Sequence, residues 1–149
     1  MPVNLRVDLY RECQRCGVKL NPYHFEDCNS RVLGRVTADA IYYEATMFEC
    51  LQQAIMAYAL VLYKSHKYCD FYDFKDTVIR MEAVDLILPE KSLRRIVRGC
   101  LVPPRISQLS KAYCVPAAFV KERMEHLCLP YLQDVFNDDN LGRYLCDRF

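Results

Sequence analysis

Residues 42–63 read YYEATMFECLQQAIMAYALVLY, and this stretch decides how the rest of the chain can fold. Residues 54–63 contain no charged residue, glycine or proline and are rich in alanine, leucine and methionine, which favour helices. A helix that is apolar on every side must be surrounded by other elements. The sequence therefore predicts a buried central helix over residues 43–63. Its first half carries a polar patch formed by Glu44, Glu49, Gln52 and Gln53.

The composition is that of one globular domain. The chain has 149 residues, of which 52% are hydrophobic and 26% charged, and its formal net charge is +1. A domain of this length buries roughly two-thirds of the surface that its unfolded chain exposes. Because the charges balance, no overall field draws the chain to nucleic acid or to a membrane, and only a local basic patch can attract an anionic partner.

Two features predict a cytoplasmic protein, of a bacterial or host cell, without membrane contact. The first residues, MPVNLRVDLYREC, lack the apolar centre of a secretory signal, and the longest apolar run is about half the roughly 20 residues that span a bilayer. The nine cysteines are odd in number and lie scattered through segments with helical patterns. This distribution indicates reduced thiols in a cytosol instead of a disulfide framework.

The remaining patterns predict an α+β fold, mostly α, with a small N-terminal β element and a single domain over residues 1–149. Gly17 is expected to end the first helix, because glycine is the usual residue just past a helix end. Before the central helix we predict a helix over 3–16, a strand over 18–20 that Asn21-Pro22 stops, and a weak strand or hairpin over 35–42. After it we predict a plain connection over 65–71, helices over 74–88 and 89–97, a helix pair over 106–127, and a helical or irregular segment over 131–149. The domain thus divides into parts 1–42, 43–101 and 104–149.

The helix pair over residues 106–127 has the spacing of a helix-turn-helix, with Cys114 at the turn. In a DNA-binding unit, the second helix would enter a major groove. Its outer face would offer Lys121 beside Glu122 and Glu125, however, and these carboxylates repel phosphate. The same kind of pair also occurs as a plain packing unit, so a DNA-binding regulator is an alternative function.

A basic run follows Pro89 on the next helix. Such a run is usually a solvated face, but it is also the best candidate in this sequence for a surface that binds an anionic partner. The residues that we assign to partner binding are Lys91, Arg94, Arg95, Arg98, Lys121 and Glu122.

Three segments of the chain resemble segments of the ImmA/IrrE-type metallopeptidases, and they follow one another in the same order as in that family. Residues 79–89, IRMEAVDLILP, are similar to a run that ends in Leu-Leu-Met-Pro in that family. Residues 107–127 resemble the family's C-terminal segment, and the first helix, Gly17 and following strand look like its beginning. The resemblance covers most of residues 5–128.

The zinc motif of that family has no counterpart here. The family carries His-Glu-x-x-His on the helix before the Leu-Leu-Met-Pro run, where two histidines bind zinc and the glutamate activates water. The matching positions hold Phe48, Glu49 and Gln52, and the third ligand would fall at Asp76 or Glu82. The resemblance implies a degenerate site with no catalytic residue and no cofactor. It also implies that Glu49 lines a small polar cavity near Asp76 or Glu82.

The function implied by this resemblance is that of a non-catalytic binding or regulatory protein, encoded by a phage or other mobile element. The peptidases of the family cleave or antagonise repressors, so a member without the metal site is expected to contact a regulator or host protein. Two alternatives are a DNA-binding transcriptional regulator that uses the 106–127 helix pair and a metal-dependent peptidase with rearranged ligands.

A separate zinc site near the N-terminus is another alternative. Cys13 and Cys16 have the spacing of a zinc knuckle, and His24 and Cys28 are available to complete four ligands. The same two cysteines, one helical turn apart, also suit a helix that faces the core.

Overall fold

The computed structural model of the chain describes residues 4–26 and 31–133, which form a mostly helical α+β fold with a four-stranded sheet near the N-terminus. The predicted fold class is confirmed. The elements are α1 (Leu9–Cys16), β1 (Lys19–Tyr23), β2 (Gly34–Val36), β3 (Ala40–Glu44), α2 (Glu49–Lys64), β4 (Asp70–Phe71), α3 (Thr77–Ile87), α4 (Glu90–Gly99), α5 (Ile106–Tyr113) and α6 (Ala117–His126). None of these helices is long and apolar enough to cross a membrane.

Helix α2 lies at the centre of the core, as predicted. Every residue from 53 to 62 is buried, and the helix packs against the sheet and against α1 and α3. It begins at Glu49, so the predicted start at Tyr43 is wrong. Tyr43 and Glu44 belong instead to β3, whose backbone groups pair with two neighbouring strands.

The sheet has the strand order β1-β3-β2-β4. Strand β3 pairs in parallel with β1 and antiparallel with β2, which confirms the predicted hairpin, and β2 pairs antiparallel with β4. Strand β1 continues through Pro22 to Tyr23, so the predicted stop at Asn21-Pro22 is wrong. Proline is tolerated there because β1 is an edge strand with one neighbour. The prediction of a plain connection over residues 65–71 is wrong at its end, where Asp70–Phe71 form β4.

The other helices differ from prediction mainly at their ends. Asp8 caps α1, so residues 4–8 are not helical, and Gly17 ends it with a φ of 76°, as predicted. Helix α3 begins later than predicted because Asp76 caps it. Helices α5 and α6 form the predicted pair, with Cys114 in the left-handed conformation at the turn. Of the predicted segment 131–149, residues 134–149 lie outside the described residues.

Gly34 lies where β2 passes closest to Phe71, and we expect its substitution by alanine to lower the free energy of unfolding by about 2 kcal/mol. An added Cβ would lie 2.6 Å from two ring atoms of Phe71 and 3.1 Å from the carbonyl oxygen of Tyr42. The Phe71 ring packs against Tyr58 in the core and cannot move freely. Urea denaturation measures the effect. In the control Gly99→Ala no described atom outside the helix's own backbone and the chain neighbours lies within 4 Å of the added Cβ, so equal losses would contradict the steric cause.

Candidate functional site

The residues that the family resemblance assigned to a degenerate zinc site do not lie together. The Glu49 side chain is 78% exposed at the start of α2, with an oxygen 3.7 Å from the Arg6 guanidinium. Asp76 caps α3, and its carboxylate lies 3.7 Å from Nζ of Lys67, just beyond the other end of α2. The 16 residues of α2 separate these ends by roughly 24 Å. The prediction that Glu49 shares a polar cavity with Asp76 is therefore wrong.

The other residues that the family resemblance assigned to the degenerate zinc site also do not form a shared cavity. Glu82 is exposed on α3, as Glu49 is on α2, so the alternative cavity is not formed either. Phe48 is exposed at the N-cap of α2. The Gln52 amide donates to the carbonyl oxygens of Ala45 and Met47, at 2.9 and 2.6 Å, and so stabilises the turn before α2.

The predicted zinc knuckle is not assembled by the residues that can be placed. Cys13 is buried in the core, where burial is the largest cause that raises the pKa of its thiol to about 11, and Cys16 packs against that core. The Nδ1 of His24 instead lies 2.8 Å from Glu44. Cys28 lies outside the described residues. Within residues 4–26 and 31–133 no three His, Cys, Asp or Glu side chains are grouped so as to hold a metal ion.

Helix α6 directs its predicted partner-binding glutamate inward. The Glu122 carboxylate lies 3.1 Å from Nε of Arg80, whose side chain is only 4% exposed on α3. This ion pair corrects our assignment of Glu122 to a partner surface. Lys121, Glu125 and His126 are the exposed positions in the second half of α6, and their charges are mixed.

A second buried arginine completes the contact between α3 and α6. Nε of Arg123 donates to the carbonyl oxygen of Leu88 at 3.0 Å, and its other arm pairs with Asp85. Arg80 and Arg123 both line a cavity of about 250 Å³ between the two helices. Since both guanidinium groups are already paired inside the protein, their role is to hold α6 against α3.

The basic residues predicted on α4 do come together. The side chains of Lys91, Arg94, Arg95 and Arg98 border an open space of about 420 Å³ on the surface of α4, which we call the α4 groove. The spacing of three, four and seven residues places them along one side of the helix. Arg94 pairs with Glu90 at 2.9 Å, whereas no ion pair joins the other three to any described side chain.

The connection after α4 carries an exposed apolar pair. Leu101 is fully exposed and Val102 is 63% exposed, and both follow closely on Arg98. Two adjacent exposed apolar side chains, three and four positions after Arg98 in sequence, have the composition of a binding interface. No sequence pattern marks Leu101 and Val102 as a surface, because apolar residues next to Pro103 are typical of a break between elements.

Helix α4 is held to the core by Leu93 and Ser92, and Ile96 and Val97 also pack against it. Leu93 is completely buried, and Oγ of Ser92 makes a hydrogen bond with the hydroxyl of Tyr113 at the end of α5. Burial raises the pKa of Tyr113 above its ordinary value. The side of α4 that carries Leu93 therefore packs against the core, and its basic side faces outward.

No protein-family model matches the chain, and no curated protein matches it. The fold and the α4 groove define a small α+β protein with one cationic, partly apolar surface on a helix.

Proposed function

We propose that the chain is a non-catalytic binding protein that uses the α4 groove to bind an acidic segment of a partner protein. The observation that carries this proposal is that Lys91, Arg95 and Arg98 line one groove without an ion-pair partner among the described residues. Cations that lie together on one side of a helix raise the local potential and favour a partner of opposite charge. The groove thus supports anion recognition more directly than any other part of the described chain.

The dimensions of the surface indicate the chemistry of the partner segment. Seven residues of helix separate Lys91 from Arg98, which is roughly 10 Å along the axis. About three extended residues of a partner span that distance. The exposed Leu101 and Val102 follow Arg98 by three and four positions in the chain. The fitting segment therefore carries a short acidic run with a large apolar side chain beside it.

A DNA-binding regulator is the weaker alternative. DNA binding needs cations that contact several phosphates. On α6, Lys121 is exposed, but the exposed carboxylate of Glu125 near it repels phosphate. Glu122 pairs with Arg80, so this arginine is not available to a phosphate either. The exposed apolar pair Leu101 and Val102 also has no phosphate partner. These features favour a peptide segment over a nucleic-acid backbone.

A non-catalytic relative of the ImmA/IrrE-type peptidases, from a phage or other mobile element, would act by the same kind of contact with a regulator or host protein. The exposed position of Glu49 removes the geometric link to the family's zinc-binding helix. The support for the proposed function therefore comes from the α4 groove, and the family resemblance adds no structural support.

The double substitution Arg95→Glu and Arg98→Glu is expected to weaken binding of an acidic peptide at least tenfold, or about 1.4 kcal/mol. The probe is a fluorescein-labelled peptide with a short glutamate run followed by leucine, and a second probe has the reverse order. Fluorescence anisotropy at low salt measures the affinity.

The matched control is Arg11→Glu with Lys19→Glu, which reverses two exposed cations on α1 and β1 and gives the same net charge. This control should change the affinity less than about twofold. Equal weakening by both double variants would mean that only the net charge matters and would contradict the α4 groove. Tighter binding to duplex DNA than to either peptide would favour the regulator alternative.

A further inference from the structure

Two thiols from distant parts of the chain face each other at the edge of the core. The Sγ atoms of Cys50 and Cys114 lie 3.8 Å apart, although 64 positions separate these residues in sequence. Cys50 belongs to the first turn of α2, and Cys114 occupies the left-handed turn between α5 and α6. Both thiols are half-buried and unbridged.

We propose that Cys50 and Cys114 are a redox-active pair that a small-molecule disulfide, such as oxidised glutathione, converts to an intramolecular disulfide. Because an S–S bond is about 2.05 Å long, the two sulfur atoms need to approach by roughly 2 Å. This approach is within the range of side-chain rotation, and the folded chain already keeps the two groups in contact. The proposal does not rest on the function proposed for α4.

The reaction is two successive thiol–disulfide exchanges. One protein thiolate attacks a sulfur of oxidised glutathione, forms a mixed disulfide and releases one glutathione thiolate. The second protein thiolate attacks the protein sulfur of the mixed disulfide and releases the other glutathione. The protein loses two electrons and two protons, and oxidised glutathione gains them and becomes two glutathione thiols.

The surroundings of Cys50 indicate the order of attack. Burial, then the charge and hydrogen bond of Cys114, raise the pKa of Cys50 to about 12, which makes it a poor first nucleophile. Cys114 is therefore expected to attack glutathione first. Once Cys114 is in a mixed disulfide, it can no longer form the thiolate whose charge opposes ionisation of Cys50, and burial is the largest cause that remains. Cys50 then acts as the resolving thiol at short range.

The new bond would connect two regions that meet only through tertiary packing. It would close a 64-residue loop and fix the start of α2 to the α5–α6 turn. The neighbouring Tyr113 makes the hydrogen bond to Ser92 that holds α4. The cross-link would therefore also stiffen the support of α4.

The test is to incubate the full chain with oxidised glutathione, block the remaining thiols, digest without reductant and map the linked peptides by mass spectrometry. We expect a peptide pair joined through Cys50 and Cys114, and an apparent melting temperature about 10 °C above that of the reduced protein. Dithiothreitol should reverse both changes.

Three variants assign the roles of the two cysteines. Cys50→Ser should keep a glutathione adduct on Cys114 that cannot resolve, and Cys114→Ser should give neither a cross-link nor a fast adduct on Cys50. Cys16→Ser is the matched control, because Cys13 and Cys16 lie one turn apart on α1 and are a competing pair. It should leave the Cys50–Cys114 link intact.

The proposal is overturned if the folded wild-type chain links other cysteines, or gains only separate glutathione adducts, and never joins Cys50 to Cys114. Circular dichroism of the oxidised sample shows whether the chain is folded. If a serine variant fails to fold, the peptide map of the wild-type chain alone decides the outcome.

Discussion

Replacement of Glu122 by glutamine is expected to lower the free energy of unfolding by about 3 kcal/mol. Its partner Arg80 has a side chain that is only 4% exposed, with Nε 3.1 Å from the Glu122 carboxylate. Arg80 also donates to the carbonyl oxygen of Phe74 at 2.9 Å, which keeps the guanidinium in place. Glutamine preserves the shape of the side chain but removes the negative charge that lies against this buried guanidinium. Because Glu122 itself is 16% exposed, we expect the lower end of the range for broken buried pairs.

Urea denaturation of Glu122→Gln measures this loss. The control is Lys121→Gln, an exposed neighbour on the same helix, which should change the free energy of unfolding by less than about 0.5 kcal/mol. The double variant Arg80→Met with Glu122→Met should recover more than half of the loss, because the buried positive charge is then removed together with its acidic partner. A Glu122→Gln variant as stable as the control would show that the pair contributes little.

The elements that could be predicted are those whose pattern is local. Helix α2 follows from an uninterrupted apolar run, and the end of α1 follows from Gly17 alone. The missed features depend on residues far away in sequence: β4 is strand only because it pairs with β2, and Tyr43 and Glu44 are strand because β1 and β2 flank them. No window of sequence around these residues contains that information.

The same distinction separates the candidate sites. The α4 groove could be predicted because helical spacing alone places Lys91 and Arg98 on one side. The cavity expected around Glu49 required the relative position of two helices, and the structure places Asp76 near the other end of α2. The contact between Cys50 and Cys114 could not be predicted either, since it joins positions 64 residues apart.

Replacement of Glu44 by glutamine is expected to lower the free energy of unfolding by about 2–3 kcal/mol near neutral pH. The Glu44 carboxylate is buried at the end of β3 and accepts hydrogen bonds from the backbone N–H of Phe25 and from Oγ1 of Thr46, both at 2.8 Å. It also pairs with Nδ1 of His24 at 2.8 Å. In glutamine one acceptor oxygen becomes an NH₂ group that faces these donors, so at least one buried hydrogen bond is lost.

The pH dependence of stability distinguishes this carboxylate from an ordinary polar contact. Burial raises the pKa of Glu44, but the hydrogen bonds from His24, Phe25 and Thr46 outweigh burial and hold the pKa below its ordinary value. A lowered pKa means that the contribution of Glu44 to the free energy of unfolding is complete above the unfolded value of about 4.3 and is lost as the pH falls through the folded pKa.

His24 behaves in the opposite way. The hydrogen bond to Glu44 is the main cause that raises the pKa of His24. The contribution of His24 is therefore complete below about pH 6.5 and fades as the pH rises through its folded pKa.

Together these directions predict that the pair stabilises the wild-type chain most between about pH 4.3 and pH 6.5. Glu44→Gln should flatten the stability profile on both sides of this window, because it removes the acidic group and the partner of His24 at once. Urea denaturation across this range measures the profile. Glu82→Gln, an exposed carboxylate on α3, is the control and should keep the wild-type shape. If the free energy of unfolding of Glu44→Gln fell on acidification as steeply as that of the wild-type chain, the stabilisation would come from packing of the residue 24–26 segment and not from the charge of Glu44.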